Sequence, residues 1–313
     1  MTVISYGEVM GVFSVNDGKF MHRDSAQFHI AGAEANTMIG LSKLGVASQF
    51  ISAIGNDGVG DAIQYQLRGE GIGTQFLTSL NNYSTGIMTK ERSVSNTIRV
   101  DYFRKFSAIN HYEISYFFKT IFESATILYV TGITPSLSQL TYETTISLIK
   151  GAKERGITVI FDPNYRKKLW NQNEFKKFYK KIAKDIDILL TGSSEANILF
   201  GNKTNEEIVK ETDAKLLVIK DGSNGAFFAN HEESFFKEAY KVKEIDSIGA
   251  GDAFAAGLIY GIQKYNIDDL SQLSKYALAM GALATTSYGD FYGLPTLNEL
   301  NQFLNHQLSD VER

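Results

Sequence analysis

Residues 157–192, ITVIFDPNYRKKLWNQNEFKKFYKKIAKDIDILLTG, decide the fold class. The stretch opens on a near-continuous apolar run (157–162) and passes through an Asp-Pro-Asn turn. It then follows a helical pattern (172–184) and closes on a second apolar run (187–192). Apolar runs without alternation belong to strands covered on both faces. Working outward, such runs recur at VISY (3–6), QFISAIG (49–55), ATILYVTG (125–132) and KLLVIK (215–220). Helical patterns fill the gaps at 34–44, where Met38, Leu41 and Leu44 lie near one face, and at 136–154. Strands alternating with helices predict an α/β layer fold around a mostly parallel sheet.

Two stretches break this rhythm. Residues 11–30 hold an Asn-Asp-Gly turn between β-like segments, a hairpin signal. Residues 85–106 also read as extended, and Ile98, Val100, Tyr102 and Arg104 share one parity, which puts their side chains on one face of a strand. The expectation is a small antiparallel sheet projecting from the main domain, with a tyrosine and an arginine on one surface.

At 313 residues and 43% hydrophobic composition, the chain suits one large domain or one domain with a substantial insertion. A net charge of -4 with no clustered basic face argues against a nucleic-acid partner. The absence of cysteine excludes disulfides, thiolate metal sites and a cysteine nucleophile. The five histidines (22, 29, 111, 231 and 306) show no metal-ligand spacing. The opening MTVISYGEVM lacks the pattern of a signal peptide, and no apolar run approaches the ~20 residues of a membrane span. The expectation is a cytoplasmic protein with no membrane partner.

The segment DSIGAGDAFAAGLIYGI (246–262) places three small residues and a carboxylate before an apolar run. Phe254, Leu258 and Ile262 fit one face of a helix over 252–262, while Ala253, Ala256 and Gly257 permit close approach to a neighbour. Unpaired amides at a helix start carry roughly half a positive charge, and glycines let an anion reach them. An ordinary N-cap by Asp252 accounts for the same local pattern. There is no Walker A stretch, and a dinucleotide fingerprint fails at Phe254.

Two separated motifs are similar to the signatures of the PfkB family of carbohydrate kinases, with a ribokinase-like fold. AGAEANTMIGLSKLGVASQFISAIGNDGVGD (31–61) resembles the first, with Asn36, Gly45 and Gly55 at the family's spacings; DSIGAGDAFAAGL (246–258) resembles the second. Met38 departs from the small residue usual in the family. KDGSNG (220–225) resembles the family's nucleotide loop. The resemblance implies a single kinase domain over 1–313, a three-layer sandwich with a lid formed by about 11–30 and 85–106. It implies Asp252 as general base and the Gly249, Ala250 and Gly251 region as anion hole. It also implies ATP held by Asn164, Arg166, Lys220, Asp221, Gly222, Ser223, Asn224 and Gly225, together with residues 249–252. Magnesium accompanies ATP, with Glu195 as a metal contact through water, and a monovalent cation stays open.

Within the family, RVDYFRKFSA (99–108), VTGITPSLS (130–138), FDPNYRKKLW (161–170) and the SYGD–FYGLPT region (287–296) resemble 2-keto-3-deoxygluconate kinases. The implied sugar contacts are Gly32, Ala33, Glu34, Ala35, Asn36, Tyr102, Phe103, Arg104, Arg166 and Asp290, beside Asp252. Arg104 and Arg166 suit a sugar acid, because a guanidinium pairs with a carboxylate in two places. Two positions depart from the pattern: Met88 replaces a lid tyrosine, and Gly192 replaces the asparagine of an Asn-x-x-Glu element. Fructokinase on the same scaffold and a noncatalytic sensor are the alternative readings. Family lids often pair, which implies a homo-oligomer.

Overall fold

The apolar runs become strands of one sheet in the computed structural model, which describes residues 2–15, 18–92, 98–114 and 117–311. The strands are β1 (Thr2–Tyr6), β2 (Met10–Val15), β3 (Gln27–Ala31), β4 (Ala47–Gly55), β5 (Leu77–Leu80), β6 (Ile87–Arg92), β7 (Ile98–Phe103), β8 (Ala125–Thr131), β9 (Thr158–Asp162), β10 (Ile188–Gly192), β11 (Leu216–Lys220), β12 (Gly225–Ala229) and β13 (Ser234–Glu238). The helices are α1 (Ala33–Lys43), α2 (Gly58–Gly69), α3 (Gln139–Glu154), α4 (Gln172–Ile182), α5 (Ser193–Phe200), α6 (Asn205–Glu211), α7 (Ala250–Tyr265), α8 (Leu270–Ala284) and α9 (Leu297–Val311).

Nine strands form the main sheet in the order β13-β12-β11-β10-β9-β8-β1-β4-β5. Pairing is parallel from β5 to β11 and antiparallel only at the β11–β12–β13 end. Both faces are covered, which explains the continuous apolar runs. Along β11, Leu216 and Val218 enter the core shared with α1, α7 and α8, while Leu217 and Ile219 enter the core shared with α3 and α4. Ile127 and Leu128 of β8 divide in the same way. The result is the expected helix–sheet–helix sandwich.

Local chemistry sets the helix ends. The Asn171 side chain accepts from the amides of Asn173 and Glu174, and Glu174 returns a bond to the Asn171 amide, a closed capping box. Phe175, Phe178, Tyr179 and Ile182 then bury one face of α4. Helix α7 packs closely against its neighbours through small residues. A Cβ added at Gly257 would lie 2.5 Å from the Tyr276 oxygen, and one at Gly40 would lie 2.8 Å from Ala256.

The second sheet has four strands in the order β3-β2-β6-β7. Its two antiparallel pairs, β2–β3 and β6–β7, join along a parallel β2–β6 pairing. Asn16 and Asp17 of the expected turn lie outside the described residues, and a turn of 3-10 helix (Phe20–His22) lies between β2 and β3. The cross-strand register aligns His29, Val12, Met88 and Tyr102 on one face, with Lys90 and Val100 in the next row. Met10, Val12, Ala31 and Met88 form a small core on that face. Asp57, which caps α2, also accepts bonds from the amide and hydroxyl of Thr85, fastening the chain as it enters β6.

Candidate active site

Helix α7 starts within the glycine turn. Gly249 adopts a left-handed conformation (φ 78°), and a Cβ there would lie 2.2 Å from the Asp290 backbone oxygen, so a bare backbone is required. The preceding turn is fastened by the amides of Ile245 and Asp246, which donate to the Thr285 oxygen at 2.8 and 3.2 Å. The Asp246 carboxylate accepts from the Ile248 amide at 3.3 Å. At Gly251 an added Cβ would meet only the Lys220 ammonium, at 3.9 Å, so the surface between them is bare.

Asp252 projects from this first helical turn and is buried. The Asn36 side-chain amide donates to its carboxylate at 2.8 Å, and the Thr37 hydroxyl donates to its backbone oxygen at 3.2 Å. Burial raises its pKa to about 8; the Asn36 bond opposes that rise, the Asp162 charge adds to it, and the Lys220 and Arg166 charges oppose it. A carboxyl group titrating near neutrality beside helix-start amides can take a proton from an alcohol.

Lys220, at the end of β11, reaches across the Gly192 end of β10 to Asp162 on β9, with Nζ 2.7 Å from the carboxylate. Burial raises the Asp162 pKa, opposed by the Lys220 charge. Burial opposes the Lys220 charge, but Asp162 and Glu195 outweigh it and raise its pKa. Both Glu195 oxygens hold backbone, accepting from the Tyr165 amide at 2.7 Å and the Gly192 amide at 2.8 Å. Among the described residues no cluster of three or more His, Cys, Asp or Glu side chains could hold a metal ion. Asn164 sits at positive φ (39°) in the intervening turn, its amide bonded to Asp162 at 3.2 Å; Arg166, two residues on, is exposed.

A cavity of about 670 Å³ opens beside Lys220, Ala250 and Gly251. Gly222, Ser223, Asn224 and Gly225 form one wall. Gly222 and Gly225 both have positive φ, and a Cβ at Gly225 would lie 2.0 Å from the Lys237 oxygen. Asp221 accepts from the Ser193 hydroxyl and the Asn224 amide, which shapes the loop. The opposite wall comes from Phe236, Tyr240, Phe254, Leu278 and Ala282. Of these, sequence reading had placed only Phe254, and that as a packing residue.

On the other side of Asp252, Gly32 precedes α1, where a Cβ would lie 2.2 Å from the Glu8 oxygen. Ala33, Glu34, Ala35 and Asn36 follow in the first turns of that helix. Glu34 points inward, accepting from the hydroxyls of Thr131 and Thr134 at 2.7 Å each, and burial raises its pKa. Arg104 lies just past β7, 5.5 Å from the Tyr102 ring, and pairs with Glu8 at 2.6 Å. Glu8 also accepts from the Ser107 hydroxyl at 2.6 Å, while Arg104 Nε is buried without a hydrogen-bond partner. Glu8 was missed by sequence reading, since a lone acid after a strand carries no signal of its partner. Asp290 is buried against the glycine turn, and burial raises its pKa. Phe103 falls on the opposite face of β7 from Tyr102 and is 63% exposed, so its side chain is set apart from the others.

A parallel α/β sandwich, a small sheet projecting from it, and a buried carboxyl at a glycine-lined helix start beside a large cavity define a small-molecule transferase of sugar-kinase type. The chain belongs to the pfkB family of carbohydrate kinases, whose pattern matches residues 2–297. It is 33% identical to the 2-dehydro-3-deoxygluconokinase of Bacillus subtilis (strain 168) over 316 residues, covering 98% of this chain and 96% of that protein. The 2-dehydro-3-deoxygluconokinase of Thermotoga maritima superposes with a TM-score of 0.89 at 27% identity, covering 97% of this chain and 98% of that one. An E. coli chain described as a ribokinase II, solved with ATP and Mg2+, superposes at 0.87 with 25% identity, covering 97% and 99%. The protein is therefore a carbohydrate kinase.

Proposed function

We propose that the protein transfers the terminal phosphoryl group of ATP to the 6-hydroxyl of 2-keto-3-deoxygluconate, giving 2-keto-3-deoxy-6-phosphogluconate. One observation carries the mechanism: a buried carboxyl with a pKa raised to about 8 sits in the first turn of α7, at a glycine-lined helix start. Phosphoryl transfer needs positioning and stabilisation of charge on the equatorial oxygens more than covalent chemistry. The amides at Gly249, Ala250 and Gly251 supply that stabilisation, and preorganised donors of this kind are worth roughly 3–4 kcal/mol each. Asp252 takes the proton from the attacking hydroxyl, with Asn36 fixing the carboxylate that receives it.

ATP occupies the 670 Å³ cavity, its base between the 236–240 segment and α8, its phosphates toward Lys220 and Gly251. Mg2+, when bound with the nucleotide, would supply neutralisation of phosphate charge. Asp162 and Glu195 are already engaged by Lys220 and by backbone amides, so any contact they made with the metal would be through water.

The preference for a sugar acid rests on the relatives and on Arg104. Glu8 holds its guanidinium in place as a positive charge for a substrate carboxylate. Tyr102 lies beside it, and Arg166 contributes a second positive charge near Asp252. The small sheet acts as a lid that excludes water from the transferring group. The substrate assignment is tested by kcat/KM for 2-keto-3-deoxygluconate, its galactose-derived epimer and fructose with ATP and magnesium. The acid is expected to lead by at least about tenfold; a higher value for fructose would overturn the assignment.

A further inference from the structure

The inner face of the small sheet is largely apolar near its centre, yet Lys90 projects from β6 in the row beside Met88 and is buried, 8% exposed. A buried ammonium is costly unless anions face it. Its nitrogen lies 3.8 Å from the Asp246 carboxylate. Its charge also acts on Asp290 and His29, whose side chains lie 3.8 Å apart. Both acids belong to the shell around the glycine turn. Asp246 bonds the Ile248 amide, and the Asp290 backbone oxygen sits against Gly249. One cation from the lid sheet therefore faces two segments that set where the α7 amides point.

We propose that Lys90 is a positioning residue for phosphoryl transfer, clamping the Asp246 and Asp290 segments so that the amides at residues 249–252 meet the transferring group. Lys90 touches neither substrate nor phosphate. Its effect passes through the turn, where displacement by a fraction of an ångström weakens donors aimed at developing charge. The same contact links the seating of the small sheet to the catalytic turn. The inference rests on the reading of residues 249–252 as the anion hole, and not on which sugar is used.

The test compares Lys90→Met with the double variant Lys90→Met/Asp246→Asn. The double variant removes the uncompensated charge while leaving an acceptor for the Ile248 amide. Lys90→Met is expected to lower kcat roughly tenfold or more while KM for ATP and sugar stays within about threefold. The double variant is expected to regain the parent Tm and keep the low kcat. A purely structural role predicts that kcat returns together with Tm, and that result overturns the proposal. So does a Lys90→Met enzyme with parent kcat, or one whose loss lies in KM. If Lys90→Met does not fold, the double variant decides by the same criterion. Gly249→Ala, run in parallel, separates two failures. Full activity there removes the anion-hole reading itself, whereas its loss alongside an active Lys90→Met removes only the role of Lys90.

Discussion

Asp252 carries two opposing demands in one carboxyl group: the fold favours its neutral form, and proton abstraction needs its anion. Burial raises its pKa to about 8, well above the ~4 of an exposed aspartate. The stability that this protonated group contributes is fully present below pH ~4 and is lost as pH rises through about 8. Asp252→Asn, which does not ionise, is therefore expected to match the parent Tm near pH 4 and exceed it by a few degrees at pH 9. The same substitution should lower kcat roughly a hundredfold to ten-thousandfold while ATP and sugar still bind by calorimetry. In the parent, kcat/KM should rise about tenfold per pH unit below pH 8 and flatten above it. A flat profile from pH 6 to 9, or an active Asp252→Asn enzyme, would remove the residue from its role. Asp252 and Asn36 were individually legible in the sequence because each sits in a signature motif. Their 2.8 Å bond was not, since 216 residues separate them. Glu8 and Lys90 were illegible for a related reason: a single charged residue reads as solvated until its partner is known.

At the scale of elements, the start of α7 depends on backbone shape more than on side chains. Gly249→Ala puts a methyl group against the Asp290 oxygen and an L-residue into a left-handed conformation. It is expected to cut kcat roughly a hundredfold, with a Tm loss of several degrees from the same strain. Retention of full rate would show that the turn does not orient the amides. The helix was readable because its apolar residues keep one-faced spacing after the small residues, whereas an ordinary N-cap fits the same local pattern and only the family resemblance implied the anion hole. Six of the seven parallel strands were readable for an equally simple reason: both faces are buried, so each run is nearly continuous, whereas the short β5 gave no such run. Helix α8 gave no comparable signal. Its residues Leu273, Tyr276, Ala277, Leu278, Ala279 and Met280 are all buried, which erases amphipathic spacing, and with it the cavity wall at Leu278 and Ala282 went unseen. The Arg104 parity argument found its neighbour Tyr102 but not its ion pair, which forms past the strand end.

At the scale of the whole molecule, two cores clamp one sheet and leave a smaller four-stranded sheet outside them. Around this smaller sheet, Met21, Phe103 and Phe106 are 76, 63 and 69% exposed, a concentration of large apolar side chains. On our account a second copy covers them, so that each lid packs on the other. Sedimentation should show a dimer that becomes monomeric in Phe103→Asp/Phe106→Asp; a parent that is monomeric at micromolar concentration would contradict this pairing. The described residues contain no helix long and apolar enough to cross a membrane. The central claim, that amides at residues 249–252 hold the migrating phosphoryl group while Asp252 deprotonates the acceptor, is tested most directly by a crystal structure with a non-hydrolysable ATP analogue and the sugar acid. The account predicts the terminal phosphate within hydrogen-bonding reach of those amides and the 6-hydroxyl about 3 Å from the Asp252 carboxylate. A terminal phosphate bound away from the turn, with the hydroxyl facing another residue, would contradict it.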